Sequence, residues 1–313
     1  MLRYVATRVV VAALAVLGAV TATFALIHAA PGDPVAIMFG ATGGGSQVGA
    51  SAAQREAIRQ ELGLDRTWPE QYGAWIARVA RGDLGTSFRS RRAVATEMGA
   101  RLPATLTLGV AAVTVQVVVG LGLGALAARR PGGPVDLATA TVAMALVSLP
   151  SYWLGLLLLW TFAVGLGWVE VGGAASLPRV ILPAVTLGLV MAPTLLRVFR
   201  ESLVEQRARP HVAFARARGL APHTVLVHHL ARPALLPAVA LIGTSVGEVL
   251  GGAVVIESIF SWPGLGKYLL DSVLARDYPV VQGYMLFTAV AVVAASLVVD
   301  LTHGLLDPRL RTA

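Results

Sequence analysis

Six long stretches of the chain are apolar throughout, without the polar face that a surface helix of a soluble protein shows. Each stretch has at least about 17 residues, the lower limit for a helix that spans a membrane, and most are longer than the hydrocarbon core of about 30 Å at about 1.5 Å per residue. The only charged residue within them is Glu248. The pattern predicts an all-α, polytopic membrane protein with six transmembrane helices, at Val9–Ala30, Leu102–Ala128, Leu137–Val169, Val180–Leu196, Pro233–Ile256 and Tyr278–Val299.

The segment between the first two stretches, residues 31–101, has a different character. It contains glycine-rich turns, scattered arginines and several tryptophans. The pattern predicts a helix over 52–62, capped by Ser51 and ended by Gly63, and an amphipathic helix over Gln71–Arg81 at the membrane interface. We expect residues 31–101 to form a folded exterior insertion within a single domain that covers residues 1–313.

Composition supports the membrane assignment. Hydrophobic residues make up 56% of the chain and charged residues 13%, against about 25% charged in a typical soluble protein. The mean hydropathy is +0.72. The 33 glycines are suited to helices whose backbones approach closely. The absence of cysteine excludes disulfides, thiolate metal sites, iron–sulfur clusters and cysteine nucleophiles.

The placement of basic residues explains the formal net charge of +8. The predicted loops 129–136 and 197–232 carry two and seven arginines, whereas 170–179 and 257–277 carry three basic residues between them. Because cytoplasmic loops are enriched in lysine and arginine, the first two loops and both termini are predicted to be cytoplasmic. The excess charge then follows from topology, and we expect no nucleic-acid partner.

Motifs for catalysis or cofactor binding are missing from the sequence. It has no phosphate-binding G-x-x-x-x-G-K-[ST] loop, no H-E-x-x-H zinc motif and no G-x-S-x-G nucleophile motif. His228 and His229 are adjacent, but neighbouring helical side chains point about 100° apart, which disfavours a shared metal ion. We expect no catalytic residue, no metal site and no cofactor.

The loop 197–232 is the most informative polar segment. Its composition predicts a short helix over Pro210–Arg218, a stop at Gly219 in a left-handed conformation, and a second helix that begins at Pro222. Two helices joined by a glycine turn make a stiff projection, which suits a handle for a cytoplasmic motor. The alternative, a basic loop packed on lipid headgroups, is equally compatible with these residues.

Val212–Leu220, with Leu235–Pro237 beyond it, resembles the cytoplasmic coupling loop of permease subunits of binding-protein-dependent ABC importers. Further motifs, in order and over nearly the whole chain, are similar to the dipeptide, oligopeptide and nickel branch of that family. These motifs are Pro31–Pro34, Gly82–Ser87, Arg101–Leu106, Gly251–Glu257, Ile259–Gly266, Arg276–Gly283 and Leu305–Arg311.

The resemblance implies the type I ABC importer permease fold and a site in the bacterial inner membrane. It implies a transport subunit without enzymatic activity, paired with a second homologous permease, two cytoplasmic ATPase subunits and an exterior substrate-binding protein. The implied cargo is a dipeptide or oligopeptide, with nickel or a metal chelate as the alternative; an ATPase-independent channel or secondary transporter is a further alternative. The residues implied in ATPase coupling are Ala213, Ala215, Arg216, Ala217, Arg218, Gly219 and Leu220.

The chain departs from the family pattern at two places. Pro210, His211, Ala213 and Phe214 replace the acidic, aromatic, basic and threonine residues usual at the start of the coupling helix. Glu248 stands where a small or apolar residue is expected. Two roles for Glu248 are equally compatible with the sequence: it lines the translocation pathway, or it pairs with another residue of the structure. Glu257 is a second candidate pathway residue.

Asp300 lies near the end of the last predicted helix, close to His303. The family pattern has an acidic residue there too, and we expect Asp300 to act as a structural charge.

Overall fold

The computed structural model describes residues 2–29, 53, 56, 59, 60 and 65–306, with the backbone alone at 2–9, 26–29, 222 and 299–306. The predicted helix over 52–62 and the Pro31–Pro34 motif lie wholly or mostly outside the described residues. The helices are α1 (Leu2–Ala29), α2 (Trp68–Val79), α3 (Val94–Ala128), α4 (Pro134–Ser148), α5 (Ser151–Leu158), α6 (Leu177–Arg207), α7 (Pro210–Ala217), α8 (Arg232–Ile259), α9 (Leu265–Leu274) and α10 (Tyr278–Leu306). Among these residues, β pairing is limited to one isolated bridge between Thr86 and Ala93.

The described parts of the predicted membrane stretches are helical, apart from a break at Leu149 and Pro150 and the residues 166–169, which confirms the all-α class. Four helical segments are long and apolar enough to cross a membrane singly: Val94–Ala128, Leu177–Arg207, Val225–Ile259 and Tyr278–Val298. The last but one joins α8 to a π-helical segment, Val225–Ala231, that continues Pro222–Thr224. The first helix contributes a shorter apolar segment, Val10–Ala25.

The predicted span Leu137–Val169 does not form one continuous helix. The structure breaks it into α4 and a second helical piece, Ser151–Gly165, which turns π-helical from Leu159 and lies at 102° to α4. Pro150 explains the break. Proline has no N–H to donate, and it disfavours helical geometry in the preceding residue; Leu149 has an extended backbone, with φ −89° and ψ 128°.

Two helices run further than hydropathy predicts. The loop predicted to begin at residue 197 is still helical up to Arg207, because α6 continues from apolar into charged sequence without a break. Likewise α3 begins at Val94, inside the predicted exterior insertion. Hydropathy predicts only the part of a helix that lies in the hydrocarbon core. The helix itself can continue into water, because its backbone hydrogen bonds form there as well.

The chain divides into two compact units, and the first comprises residues 1–103 and 268–293. Here α2 begins after Thr67, where the Glu70 carboxylate accepts hydrogen bonds from the Thr67 hydroxyl (2.8 Å) and N–H (2.9 Å). These bonds hold the pKa of Glu70 below its usual value. The apolar face of α2 packs Trp75 against Val20 and Phe24 of α1, so the predicted interfacial helix is covered by protein on that face.

The second unit, residues 104–267 and 294–313, holds the main helix packing. Gly188 of α6 lies so close to α3 that an added Cβ would be 2.6 Å from the Ala112 carbonyl oxygen. At Gly124 of α3 an added Cβ would be 2.9 Å from the Leu196 carbonyl oxygen. Small residues thus set the separation of α3 and α6, as expected for helices in a membrane.

Candidate functional site

The segment between α6 and α8 folds as a short helix, a glycine turn and a second helical run. In the turn, Gly219 has φ +73°. Its N–H donates to the Arg216 carbonyl (2.9 Å), and the Leu220 N–H donates to the Ala215 carbonyl (3.4 Å). This pair of bonds is a Schellman motif, which satisfies the last carbonyls of α7. The predicted helix, its end and its left-handed glycine are confirmed.

One face of α7 is packed into the protein. Val212 and Ala215, three residues apart and therefore on one face of the helix, are 0% and 2% exposed. They belong to an apolar cluster that includes Phe199 and Leu203 of α6. The cluster also includes Val225 and Leu230 of the π-helical segment, Ala234 and Ala238 of α8, and Ala128 of α3. Because α7 is buried against several helices, a force applied to it is passed to them.

The other face of α7 is open to solvent. Phe214 is 65% exposed, and the Arg218 guanidinium lies 5.8 Å from the centre of its ring. Arg216 is also exposed. Of the residues predicted to couple to an ATPase, Ala215 is the buried one; the others lie at the surface, namely Ala213, Arg216, Ala217, Arg218, Gly219 and Leu220. This face offers an aromatic side chain among cations.

The last turns of α6, which lead into this segment, are hydrogen-bonded to the turn between α3 and α4 and to the start of α4. The Arg200 guanidinium of α6 binds Asp136 of α4 through two hydrogen bonds, Nε to Oδ1 at 3.0 Å and Nη2 to Oδ2 at 2.5 Å. The Gly132 N–H donates to the same Asp136 Oδ2 at 2.8 Å. Nearby, Arg207 Nη1 donates to the Arg129 carbonyl at 3.1 Å. The two loops predicted on the cytoplasmic side therefore lie together.

Glu257 is 0% exposed and holds a loop in place. Its Oε1 accepts from the Thr105 hydroxyl (2.7 Å), and its Oε2 from the Lys267 N–H (2.9 Å). The Thr105 oxygen in turn accepts from the Leu265 N–H (2.7 Å). A Cβ at Gly264 would overlap the carboxylate, so a larger residue there would displace Glu257 from these bonds. Glu257 thus anchors the segment 260–267 to α3, and its oxygens face protein.

Glu248 lies in a different environment on the same helix. It is exposed on the surface of the chain, and no described residue forms a hydrogen bond or ion pair with its carboxylate. On the buried side of α8, Ser245 accepts a hydrogen bond from Gln116 Nε2 of α3 at 3.0 Å. Gln116 Oε1 has no hydrogen-bond partner in the described protein. Asp300 lies in α10, where only the backbone is described.

In the first unit, Asp277 holds the turn that follows α2. This carboxylate is 2% exposed and accepts from the Ser87 hydroxyl (2.5 Å) and from the N–H groups of Phe88 (3.0 Å) and Arg89 (3.3 Å). Close by, the Arg101 guanidinium lies 4.2 Å from the ring centre of Tyr268, and burial raises the pKa of the Tyr268 hydroxyl. The predicted exterior segments 31–101 and 257–277 therefore meet at this turn.

Comparison with family models accounts for nearly the whole chain. Residues 1–109 match the N-terminal model of binding-protein-dependent transport system membrane components, and residues 120–312 match the model of binding-protein-dependent transport system inner membrane components. The chain belongs to this permease family. It is therefore a multi-pass inner-membrane transport subunit, as the sequence motifs imply.

Individual relatives are similar over most of their length. The permease resembles the di/tripeptide transport system permease protein DppB of Pseudomonas aeruginosa, with 37% identity over 99% of both chains. It resembles the dipeptide transport system permease protein DppB of Escherichia coli K12, with 35% identity over 99% of both chains. It also resembles the glutathione transport system permease protein GsiC of Escherichia coli O6:H1, with 37% identity over 92% of both chains. Among solved structures, an amino acid ABC transporter with histidines covers 68% of this chain at 17% identity and a TM-score of 0.48.

Sequence reasoning on the permease missed three polar residues that organise the second unit: Asp136, Arg200 and Thr105. Asp136 and Arg200 are ordinary in their local sequence, and Thr105 lies within the Arg101–Leu106 motif, which did not indicate its role. Their partners lie far along the chain, 64 residues away for Asp136 and Arg200 and 152 for Thr105 and Glu257. For Asp136, the local sequence shows only an acidic residue in the first turn of a helix, directly before a predicted span. By itself this position indicates favourable helix electrostatics and no specific partner. No cluster of metal-ligating side chains occurs in the part of the chain that the structure describes.

Proposed function

We propose that this permease is one of two membrane-spanning subunits of an ATP-driven importer of short peptides. The proposal rests chiefly on the 37% identity, over 99% of both chains, to a permease named for di- and tripeptide transport. Relatives named for dipeptide and glutathione transport support the same cargo class. Nickel or a metal chelate is less favoured, because none of these three relatives is named for it.

The proposed coupling site is the exposed face of α7 and its glycine turn. Ala213, Arg216, Ala217, Arg218, Gly219 and Leu220 would form it, with Phe214 as the residue that enters a groove on the ATPase and Ala215 supporting it from the buried face. An exposed aromatic ring with the Arg218 guanidinium beside it suits a partner surface that has an apolar pocket and an acidic rim. Closure of two ATPase subunits would then push α7, and the buried Val212 and Ala215 would carry the movement into α6 and α8.

The proposed orientation places both termini and the loops 129–136 and 197–232 in the cytoplasm, where the ATPases are. The insertion 31–101 and the loop 257–277 would face the substrate-binding protein. The contact of Arg200 with Asp136 supports placing the first two loops on one side. The contact of Asp277 with Ser87 supports placing the other two together.

We further propose that Glu248 lines the translocation pathway. A carboxylate in the middle of a membrane helix costs about 2.5–3.5 kcal/mol unless water or a partner compensates it, and no described residue does so. A water-filled pathway bounded by a second homologous permease would hydrate it. Glu257 is better explained as an anchor for the segment 260–267, since its oxygens are occupied by protein donors. Asp300 keeps its proposed role as a structural charge.

The test is uptake by the complete complex in proteoliposomes, with permeases, ATPases and binding protein present. We expect ATP-dependent accumulation of a labelled dipeptide, saturable and competed by a tripeptide. Uptake that runs equally well without ATP would favour a channel or secondary transporter. ATP-driven uptake of Ni²⁺ without any uptake of dipeptide would overturn the peptide assignment.

A further inference from the structure

The pair formed by Arg200 and Asp136 joins two helices of the second unit, α6 and α4. Arg200 lies one turn beyond the predicted end of the apolar stretch in α6 and seven residues before that helix ends. Asp136 lies in the first turn of α4, and its residue is 8% exposed. The two hydrogen bonds between them make a planar fork, which fixes the orientation of both side chains as well as their distance.

The surroundings make this pair stiff. The Gly132 N–H holds Asp136 Oδ2 from the turn that precedes α4, so the carboxylate cannot rotate away from Arg200 without losing a third bond. One turn before Arg200, Gly124 of α3 packs so closely against α6 that an added Cβ would lie 2.9 Å from the Leu196 carbonyl oxygen. The end of α3, the turn that contains Gly132 and the start of α4 therefore all contact α6 close to Arg200.

The same part of α6 also packs against α7. Phe199, the neighbour of Arg200, and Leu203, one turn further, belong to the apolar cluster in which Val212 and Ala215 of α7 are buried. A movement of α7 therefore displaces the part of α6 that holds Asp136. Apolar contacts alone allow sliding, whereas a bidentate ion pair resists it, because sliding would leave a buried charge without its partner.

We propose that Arg200 and Asp136 act as positioning residues that transmit movement of α7 to α4 and the end of α3. This inference rests on the proposed function, in which α7 receives the force of the ATPases. With the pair intact, α3, α4 and α6 move as one body when α7 is pushed. Without it, α7 and α6 move while α4 lags, so ATP is hydrolysed with less cargo transported.

The experiment measures cargo transported per ATP hydrolysed by the complete complex in proteoliposomes. For Asp136→Asn we expect this ratio to fall about fivefold or more, the scale of typical coupling between sites, while ATP hydrolysis persists. Arg200→Lys, which keeps the charge and loses the fork, should lie between that variant and the wild type. The exchanged double variant Asp136→Arg with Arg200→Asp should recover part of the ratio that either exchange alone removes.

The matched control is Glu205→Gln, which breaks the ion pair of Glu205 in α6 with Arg209, the residue just before α7. That pair has side chains 63% and 54% exposed, so its loss should leave the ratio unchanged. A ratio equal to the wild type in Asp136→Asn, or a loss of uptake in strict proportion to hydrolysis and thermal stability, would overturn the proposal. A wild-type complex that shows no ATP-driven peptide uptake would instead refute the proposed function.

Discussion

At the scale of single residues, Glu248 and Glu257 show how one helix places two carboxylates in opposite environments. They are nine residues apart on α8, which at 100° per residue puts them on opposite sides of the helix. Glu257 accepts bonds from Thr105 and from the first turn of α9, whereas Glu248 is exposed with no described partner. The first is paired within the chain; the second requires water or a partner from outside.

We predict that Glu248→Gln selectively weakens uptake of cationic cargo. Two charges about 4 Å apart in a water-like medium attract by about 1 kcal/mol, so uptake of a lysine-containing dipeptide should fall about fivefold relative to a neutral dipeptide. The measurement is the ratio of the two uptake rates, corrected for the affinity of the isolated binding protein for each peptide. The control is Glu201→Gln. Glu201 is an exposed carboxylate in the last turns of α6, so the substitution removes the same charge and should not change the ratio. An equal loss for both peptides together with a lower melting temperature would mean that Glu248 is a structural partner.

Sequence alone predicted some of these residues and not others, for a physical reason. Gly219 could be assigned a left-handed conformation because helix ends are decided by local backbone geometry. The different environments of Glu248 and Glu257 could not be assigned, because burial depends on which residues of other helices come near. Thr105 is 152 residues from Glu257, and hydropathy contains no information about that pairing.

At the scale of elements, α7 with its glycine turn is the unit that would receive force. Its Schellman motif satisfies the last carbonyls, and Val212 and Ala215 fix one face in the protein core. The turn then sets the direction of the π-helical segment that leads to α8. Since an added Cβ at Gly219 would meet nothing within 4 Å, any effect of substitution there comes from the backbone and not from a clash within the chain.

We predict that Gly219→Val uncouples transport and that Gly219→Asn does not. Valine in the left-handed region costs about 1–3 kcal/mol, whereas asparagine tolerates it. Uptake per assembled complex should fall about fivefold or more for valine and stay within about twofold of the wild type for asparagine. Assembly is checked by co-purification of the subunits. If both variants lose transport equally, side-chain bulk at the ATPase contact matters and not the turn.

Element boundaries were harder to predict than element types. The apolar stretch Leu137–Val169 indicated a helix correctly, yet the bend came from Pro150, whose effect hydropathy does not count. The continuation of α6 to Arg207 was missed because its last turns contain charged residues that favour helix as well as loop. Those turns carry Arg200, so the error concealed the contact with Asp136.

At the scale of the whole molecule, one contact bears on the path of the chain through the membrane. The bent pair of α4 and Ser151–Gly165 is compatible either with a broken span or with a re-entrant loop. Asp136 at the start of α4 touches Arg200 near the end of α6, so those two points lie on one side. Because α6 is long and apolar enough to cross a membrane once, we predict that the bent pair crosses once as well.

We predict that single cysteines report this path, and the chain offers a clean background because it has no cysteine of its own. A membrane-impermeant thiol reagent should label Arg89→Cys and Glu170→Cys in intact cells, and Arg130→Cys and Arg218→Cys only after permeabilisation; all four positions are exposed. The cysteine-free wild type controls for background labelling, and labelling after denaturation controls for expression.

Position 170 is decisive for the bent pair, since a re-entrant loop would return it to the side of position 130 and protect it in intact cells. Labelling of position 218 in intact cells would place α7 outside the cytoplasm, where no ATPase could reach it.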